Sequence, residues 1–193
     1  MADFELVVHH DYTSGTCTDT SGFGNHGFGT TSPDTDGMPF DGHSSRVVVF
    51  PAPSLTNLGG LRARVRLRPD ALSERRTLIE GYLAFSLSIE PDGALLGAVY
   101  ADLKWYVLST PPGIVTTGRW TDVAFVYDGR DTMSLSADGT LIALRQDLLG
   151  RIADIEWPYG LNIGAWPDDD VRIFAGVMSE LWLWRLPTSA EHR

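Results

Sequence analysis

The stretch "LRARVRLR", Leu61–Arg68, alternates without a fault. Leu61, Ala63, Val65 and Leu67 fall on one side of an extended chain; Arg62, Arg64, Arg66 and Arg68 fall on the other. A period of two marks a strand with one dry and one wet face, because successive side chains of a strand point to opposite sides. Helical periodicity is nearly absent elsewhere. "VVVF" (Val47–Phe50), "YLAFSLSIE" (Tyr82–Glu90), "ALLGAVYA", "LKWYVLS", "RWTDVAFVYDG" (Arg119–Gly129), "GLNIGAW" and "IFAGVMSELWLWRL" all read as strands. "TMSLSADGTLIALRQ" reads as a hairpin turning at Ala137-Asp138-Gly139, and Pro91-Asp92-Gly93 as another turn. About a dozen short antiparallel strands with Gly, Pro and Asp punctuation imply a two-sheet sandwich or a barrel. No linker, low-complexity tract or repeat interrupts them, so residues 1–193 are expected to form one all-β domain. The tail "PTSAEHR" has room for one helical turn at most.

A formal charge of −10 argues against nucleic acid as the main partner, since phosphate binding needs a basic face. It suits cation binding or plain solubility. Cys17 is the only cysteine, which excludes an internal disulfide. "MADFELVVHHDY" has no basic n-region and no useful apolar run, so no signal peptide is expected, and no stretch is long enough for membrane insertion. The expectation is a soluble protein: cytoplasmic, released without a classical signal, associated with an assembly such as a virion surface, or cut from a longer chain.

The ordered motifs "DTSGFGNHG", "MPFDG", "RVVVF", "LRARVRL", "TLIEG", "FSLSIEPDGAL", "GRWTDVAFVYDG", "MSLSADGTLI", "LNIGAW" and "FAGVMSELWLW" resemble the laminin-G-like, concanavalin A-like lectin/glucanase jelly roll, in its single-domain bacterial or phage form. The resemblance runs from about Asp3 to Glu191. It implies a two-sheet antiparallel jelly-roll sandwich. It also implies a calcium site (Ca2+) where the Asp19 loop meets the last strand, with Asp19 as charged ligand, Asn25 or a loop carbonyl as neutral ligand, and Glu180 opposite. Calcium takes six to eight oxygens of these kinds. Ser179 stands where the family has an acid, which weakens the set. The competing reading has Asp19 and Ser21 capping backbone amides of a tight loop. Asp41 and Asp138 precede glycines at strand ends and read as turn residues. "PDDD" (Pro167–Asp170) reads as a solvated loop tip, or as a second cation site.

Aromatic residues suggest where a ligand would sit. Trp105, Tyr106, Trp157, Tyr159 and Trp166 lie in or near loops, where rings stack on sugars, anchor a protein, or cover the ends of the sandwich. Trp182 shares strand parity with Trp184 and occupies a position usually polar in the family. Trp120 and Trp184 match family positions expected to be buried. The comb Arg62, Arg64, Arg66, Arg68 is either a docking face for an acidic protein or anionic glycan, or a solvated face answered by neighbouring acids. If the last strand lies beside it, Glu180 and Trp182 would flank it, and arginine over tryptophan is favourable.

No catalytic constellation is evident. Glu90 and Asp92 straddle a turn with no third carboxylate on the same face, and G-x-S-x-G, H-E-x-x-H and P-loop motifs are missing. The sequence therefore points to a non-catalytic recognition or adhesion module, lectin-like, binding a glycan or a protein with or without calcium. The alternative is a structural or decorating subunit of an oligomer or larger assembly, such as a virion or tail; a glycoside hydrolase or polysaccharide lyase ranks third.

Overall fold

The computed structural model describes residues 4–56, 58–146, 152, 159–167 and 171–186. In chain order its strands are β1 (Glu5–Asp11), β2 (Gly27–Gly29), β3 (Met38–Asp41), β4 (Val47–Val49), β5 (Gly60–Pro69), β6 (Arg76–Gly81) and β7 (Phe85–Ile89). There follow β8 (Leu95–Ala101), β9 (Lys104–Ser109), β10 (Thr121–Tyr127), β11 (Thr132–Ala137), β12 (Thr140–Gln146), β13 (Leu161–Ile163) and β14 (Ala175–Leu186). The first sheet runs β1-β14-β5-β10-β11-β12, with β3 pairing the start of β14. The second runs β2-β4-β13-β6-β7-β8-β9. Every strand pair is antiparallel, and the two seven-stranded sheets form a sandwich. Among the described residues no helix is long and apolar enough to cross a membrane.

The alternation in β5 does what its pattern predicts. Leu61, Ala63, Val65 and Leu67 are fully buried, together with Val123, Phe125 and Tyr127 of β10 and Leu181 and Leu183 of β14. Phe85, Leu87, Ile89, Leu95 and Val99 belong to the same apolar cluster from the second sheet. Each such aliphatic side chain contributes about 1.5–3 kcal/mol when removed from water. Gly97 shows how closely the sheets approach: a Cβ there would lie 2.5 Å from the Phe125 ring. The position has no room for a side chain.

The hairpins follow local chemistry. Asp138 (φ 48°) and Gly139 (φ 77°) form the two-residue turn between β11 and β12, where both residues must accept left-handed backbone. The β8–β9 hairpin uses Asp102 and Leu103 in the same region, φ 49° and 64°. Leucine is a poor choice for such a turn, which is why "ADLK" carries no legible turn signal. A further difference lies at "YLAFSLSIE": the strand starts at Phe85, because Leu83 takes φ 54° in the turn that joins β6 to β7.

Candidate functional site

β5 lies between β14 and β10, so each arginine of the comb has a neighbour on both sides. On β14, Glu180, Trp182 and Trp184 face Arg66, Arg64 and Arg62. On β10, Asp122, Ala124 and Val126 face the same three arginines. The Arg64 guanidinium lies 4.4 Å from the Trp182 ring centre. On the other side of that indole, His9 of β1 stacks at 5.2 Å with an interplanar angle of 8°. Since β14 runs between β1 and β5, both faces of Trp182 are covered. Arg64 also donates from Nε to both carboxylate oxygens of Asp122, at 2.8 and 3.0 Å, and from Nη2 to Oδ2. This pairing with Asp122 raises the Arg64 pKa further, against the opposing effect of burial.

The remaining arginines follow the same rule. Arg62 sits 4.8 Å over Trp184; Arg66 and Arg68 lie 5.6 and 5.2 Å from Trp120, and Arg68 reaches Asp36 at 3.8 Å. Like charges on one strand face repel; here indole faces, more than carboxylates, offset that repulsion. Trp120 and Trp184 are accordingly half-buried on the outer face, not in the core as their family positions suggest. The expectation that the last strand would bring Glu180 and Trp182 beside the comb agrees with the register.

Small residues next to long ones leave a hollow. Ala124 stands opposite Arg64, and Ser136 of β11 stands opposite Ala124. With Arg62, Arg64, Asp122, Asp138 and Gly139 they line a groove of about 250 Å³. Asp138 braces its far wall: its Oδ1 accepts from the Asp122 amide at 3.0 Å, and its Oδ2 from Arg119 at 3.0 Å. Asp138 is therefore a turn residue, as expected, and a wall of the groove as well. The groove offers guanidinium donors, carboxylate acceptors and a hydroxyl, with no bare aromatic face.

The Asp19 loop is built differently from a calcium cage. Asp19 is buried, and four donors occupy its two oxygens. Oδ1 accepts from the amides of His9 and Ser21 at 2.9 and 3.0 Å; Oδ2 accepts from Ser21 Oγ and the Asn25 amide at 2.7 and 2.9 Å. Burial works to raise the Asp19 pKa, but these hydrogen bonds outweigh it and hold the carboxyl below its ordinary value. Asn25 turns its side-chain amide to Val7 O and Ser54 Oγ, and its carbonyl to His10 Nε2. Glu180 pairs with Asp11 on β14's other flank, so β1 separates it from the loop, and a bulge between Met178 and Glu180 leaves Ser179 buried. Among the described residues no three His, Cys, Asp or Glu side chains gather to hold a metal. The set Asp19, Asn25, Glu180 thus does not fit calcium, and the capping geometry matches the competing reading. Asp168–Asp170 lie outside the described residues.

The other aromatic candidates do not converge. Trp105 is 38% exposed on the second sheet beside Tyr100, with ring centres 5.3 Å apart. Tyr106 points inward, because the β9 alternation that exposes Trp105 and Val107 buries it; Lys104 and Arg145 lie over its ring at 4.6 and 5.6 Å. It is not available as a ligand contact. Tyr159 packs against Tyr82 with ring centres 4.2 Å apart and tilted by 38°, and Trp166 lies under Arg172 at 4.8 Å, while Trp157 is outside the described residues. Glu90 is paired with Arg75 at 2.6 Å, and Asp92 caps the Ala94 amide. Sequence reasoning passed over His9, Asp122 and Ser136. The alternation of "TDVAFVY" and "TMSLSA" already puts Asp122 and Ser136 on outer faces, but nothing local says which strand lies beside them. It also passed over Phe28 and Phe50, two exposed rings 5.0 Å apart.

The architecture and a laminin-G-type family model agree: residues 41–192 match the concanavalin A-like lectin/glucanases superfamily, and the chain belongs to it. No curated protein matches the chain in sequence. Among solved structures, it is similar to domain 4 of AbnA, a GH43 extracellular arabinanase from Geobacillus stearothermophilus, in complex with arabinotriose. There the TM-score is 0.71 at 17% identity, over 95% of this chain and 93% of that one. It is also similar to the Ruminococcus gnavus IT-sialidase CBM40 bound to alpha2,3 sialyllactose, with TM-score 0.57, 19% identity and 72% and 80% coverage. The binding domain of Paraclostridial Mosquitocidal Protein 1 gives TM-score 0.73 at 13% identity, over 96% of this chain and 50% of that one. At these identities the likeness establishes the fold, and the neighbours include carbohydrate-binding domains.

Proposed function

We propose that this chain is a non-catalytic glycan-binding module whose site is the groove on the outer face of the first sheet. The observation that carries the reading is the groove lining: Arg62, Arg64, Asp122, Ser136 and Asp138 around a small floor made by Ala124. Planar guanidinium and carboxylate groups hold adjacent sugar hydroxyls in fixed directions. The side chains are held in place before any ligand arrives, Arg64 by Trp182 and Asp122, and Asp122 by its backbone bond to Asp138, which lowers the entropy cost of binding. The hollow is smaller than the ~300–1,000 Å³ of a drug-sized cleft, which suits one ring of a longer saccharide. Both groove carboxylates are already ion-pair acceptors, of Arg64 and Arg119. That arrangement serves orientation better than it serves an acid and a base placed across a glycosidic bond. The glycan-binding neighbours in the superfamily support the class of ligand.

The test is a glycan array followed by calorimetry on the best hits, with wild type and Ala124→Leu. Ala124 makes no side-chain polar contact, and a leucine there fills the floor from the solvent side. Binding by wild type and its loss in Ala124→Leu, with an unchanged melting temperature, is the expected result. Equal binding by both proteins would move the site elsewhere, and the exposed Trp105–Tyr100 pair would be the next place to substitute.

A further inference from the structure

We infer that the saccharide taken by this groove carries a carboxylate, and that Arg62 receives it. The inference rests on the glycan-binding reading of the same groove. Arg62 is exposed on the groove wall, and its cross-strand neighbours are Trp184 and Val126, neither of them an acid. Among the described residues it has no carboxylate partner. The other guanidiniums at the groove do: Arg64 has Asp122 and Arg119 has Asp138. Arg66 of the same comb likewise makes no ion pair among the described residues, but it lies off the groove lining and has Asp122 and Glu180 as cross-strand neighbours.

Arg62 is also set for the task. Its guanidinium lies 4.8 Å over the Trp184 ring, so the indole bounds it on one side. A guanidinium can present two parallel donors to a carboxylate, and one already held against an indole loses less freedom on pairing. Asp122, Asp138 and Ser136 on the floor and far wall supply acceptors for hydroxyls. The two wall carboxylates also limit the ligand. They repel a second negative group in the hollow, so a sugar with one carboxylate fits and a polysulfated or polyphosphate chain does not.

The experiment uses calorimetry with the full chain at low and at physiological salt. The probes are uronate tetrasaccharides, their carboxyl-reduced counterparts, and a sialylated trisaccharide with its carboxyl-reduced form. The two pairs separate an in-chain uronate from a terminal sialic acid. Wild type is expected to bind an acidic probe about tenfold or more tighter than the reduced one, the size of a lost charged hydrogen bond, with the gap narrowing as salt screens the exposed pair. Arg62→Gln is expected to bind the acidic and the reduced sugar equally, at or below the wild-type affinity for the reduced one; Arg62→Lys retains part of the preference. Ala124→Leu is expected to lose both sugars. Equal affinity for acidic and reduced probes overturns the inference and leaves the groove reading intact, as does an unchanged preference in Arg62→Gln. Failure to bind any saccharide overturns both.

Discussion

Asp19→Asn is the most informative single change, because it preserves shape and removes only charge and one acceptor. The Asp19 oxygens take four hydrogen bonds, two each. An asparagine can keep oxygen toward the His9 and Ser21 amides, which places its NH2 against Ser21 Oγ and the Asn25 amide. The Ser21 hydroxyl can adapt, since it also donates to Val7 O. The Asn25 amide cannot, and Asn25 is buried. One buried N–H left without an acceptor, plus the weakening of bonds that had a charged partner, costs about 2–4 kcal/mol. For a chain of this length that is a fall of roughly 6–12 °C in Tm. The assay is urea and thermal unfolding of wild type and variant, each in millimolar calcium and in EDTA. Calcium is expected to leave wild-type Tm unchanged. A loss under ~0.5 kcal/mol, the range of an ordinary surface substitution, would refute the capping argument. So would a calcium-dependent rise in wild-type Tm that Asp19→Asn abolishes, because a ligand that binds only the native state must stabilise it.

Asp41→Asn makes the contrast. One Asp41 oxygen accepts from the amides of His43, Ser44 and Ser45, and the other only from the Ser44 hydroxyl, so the amide is accommodated and the loss should stay below about 1 kcal/mol. Hydrogen bonds from Ser44, His43 and Ser45 hold the Asp41 carboxyl far below its ordinary range, and Asp19 is also lowered. Groups with depressed folded pKa values contribute stability above their unfolded value near ~3.9, and it is lost as pH falls through the folded values. The urea midpoint should therefore drop below about pH 4, and less steeply in Asp41→Asn. Gly97→Ala should cost about 1–3 kcal/mol, read as a lower urea midpoint, because its Cβ would lie 2.5 Å from the buried Phe125 ring. A double-mutant cycle on Arg64→Ala and Asp122→Ala should give a coupling of about 0.5–1 kcal/mol, discounted because the Arg64 side chain is 37% exposed. A value near zero would mean that Trp182 alone holds Arg64.

The family's fold was legible because its signals are local. The alternation in "LRARVRLR" names the buried face of β5, "ADG" names a hairpin, and the order of such segments matches one superfamily. The capping role of Asp41 and the turn role of Asp138 follow from Asp-Gly chemistry in the same way. The candidate site was less legible. Tyr106 and Trp105 are neighbours in sequence and look alike as loop aromatics, yet strand alternation buries one and exposes the other. The calcium expectation came from a loop that matches the family and an acid at Glu180, but strand β1 lies between them.

What the sequence by itself determined is the set of faces: which side chains of each strand are dry, which are wet, and where the chain turns. Those depend on residues one to four positions apart. The tertiary structure decided which wet faces meet. It put β5 between β14 and β10, so that Arg64 lies between Trp182 and Asp122, some 118 and 58 positions away along the chain. It also left Arg62 over Trp184 with no acid opposite. Pairing between strands far apart in sequence is set by how the two dry faces close over one core, and no local pattern carries that information.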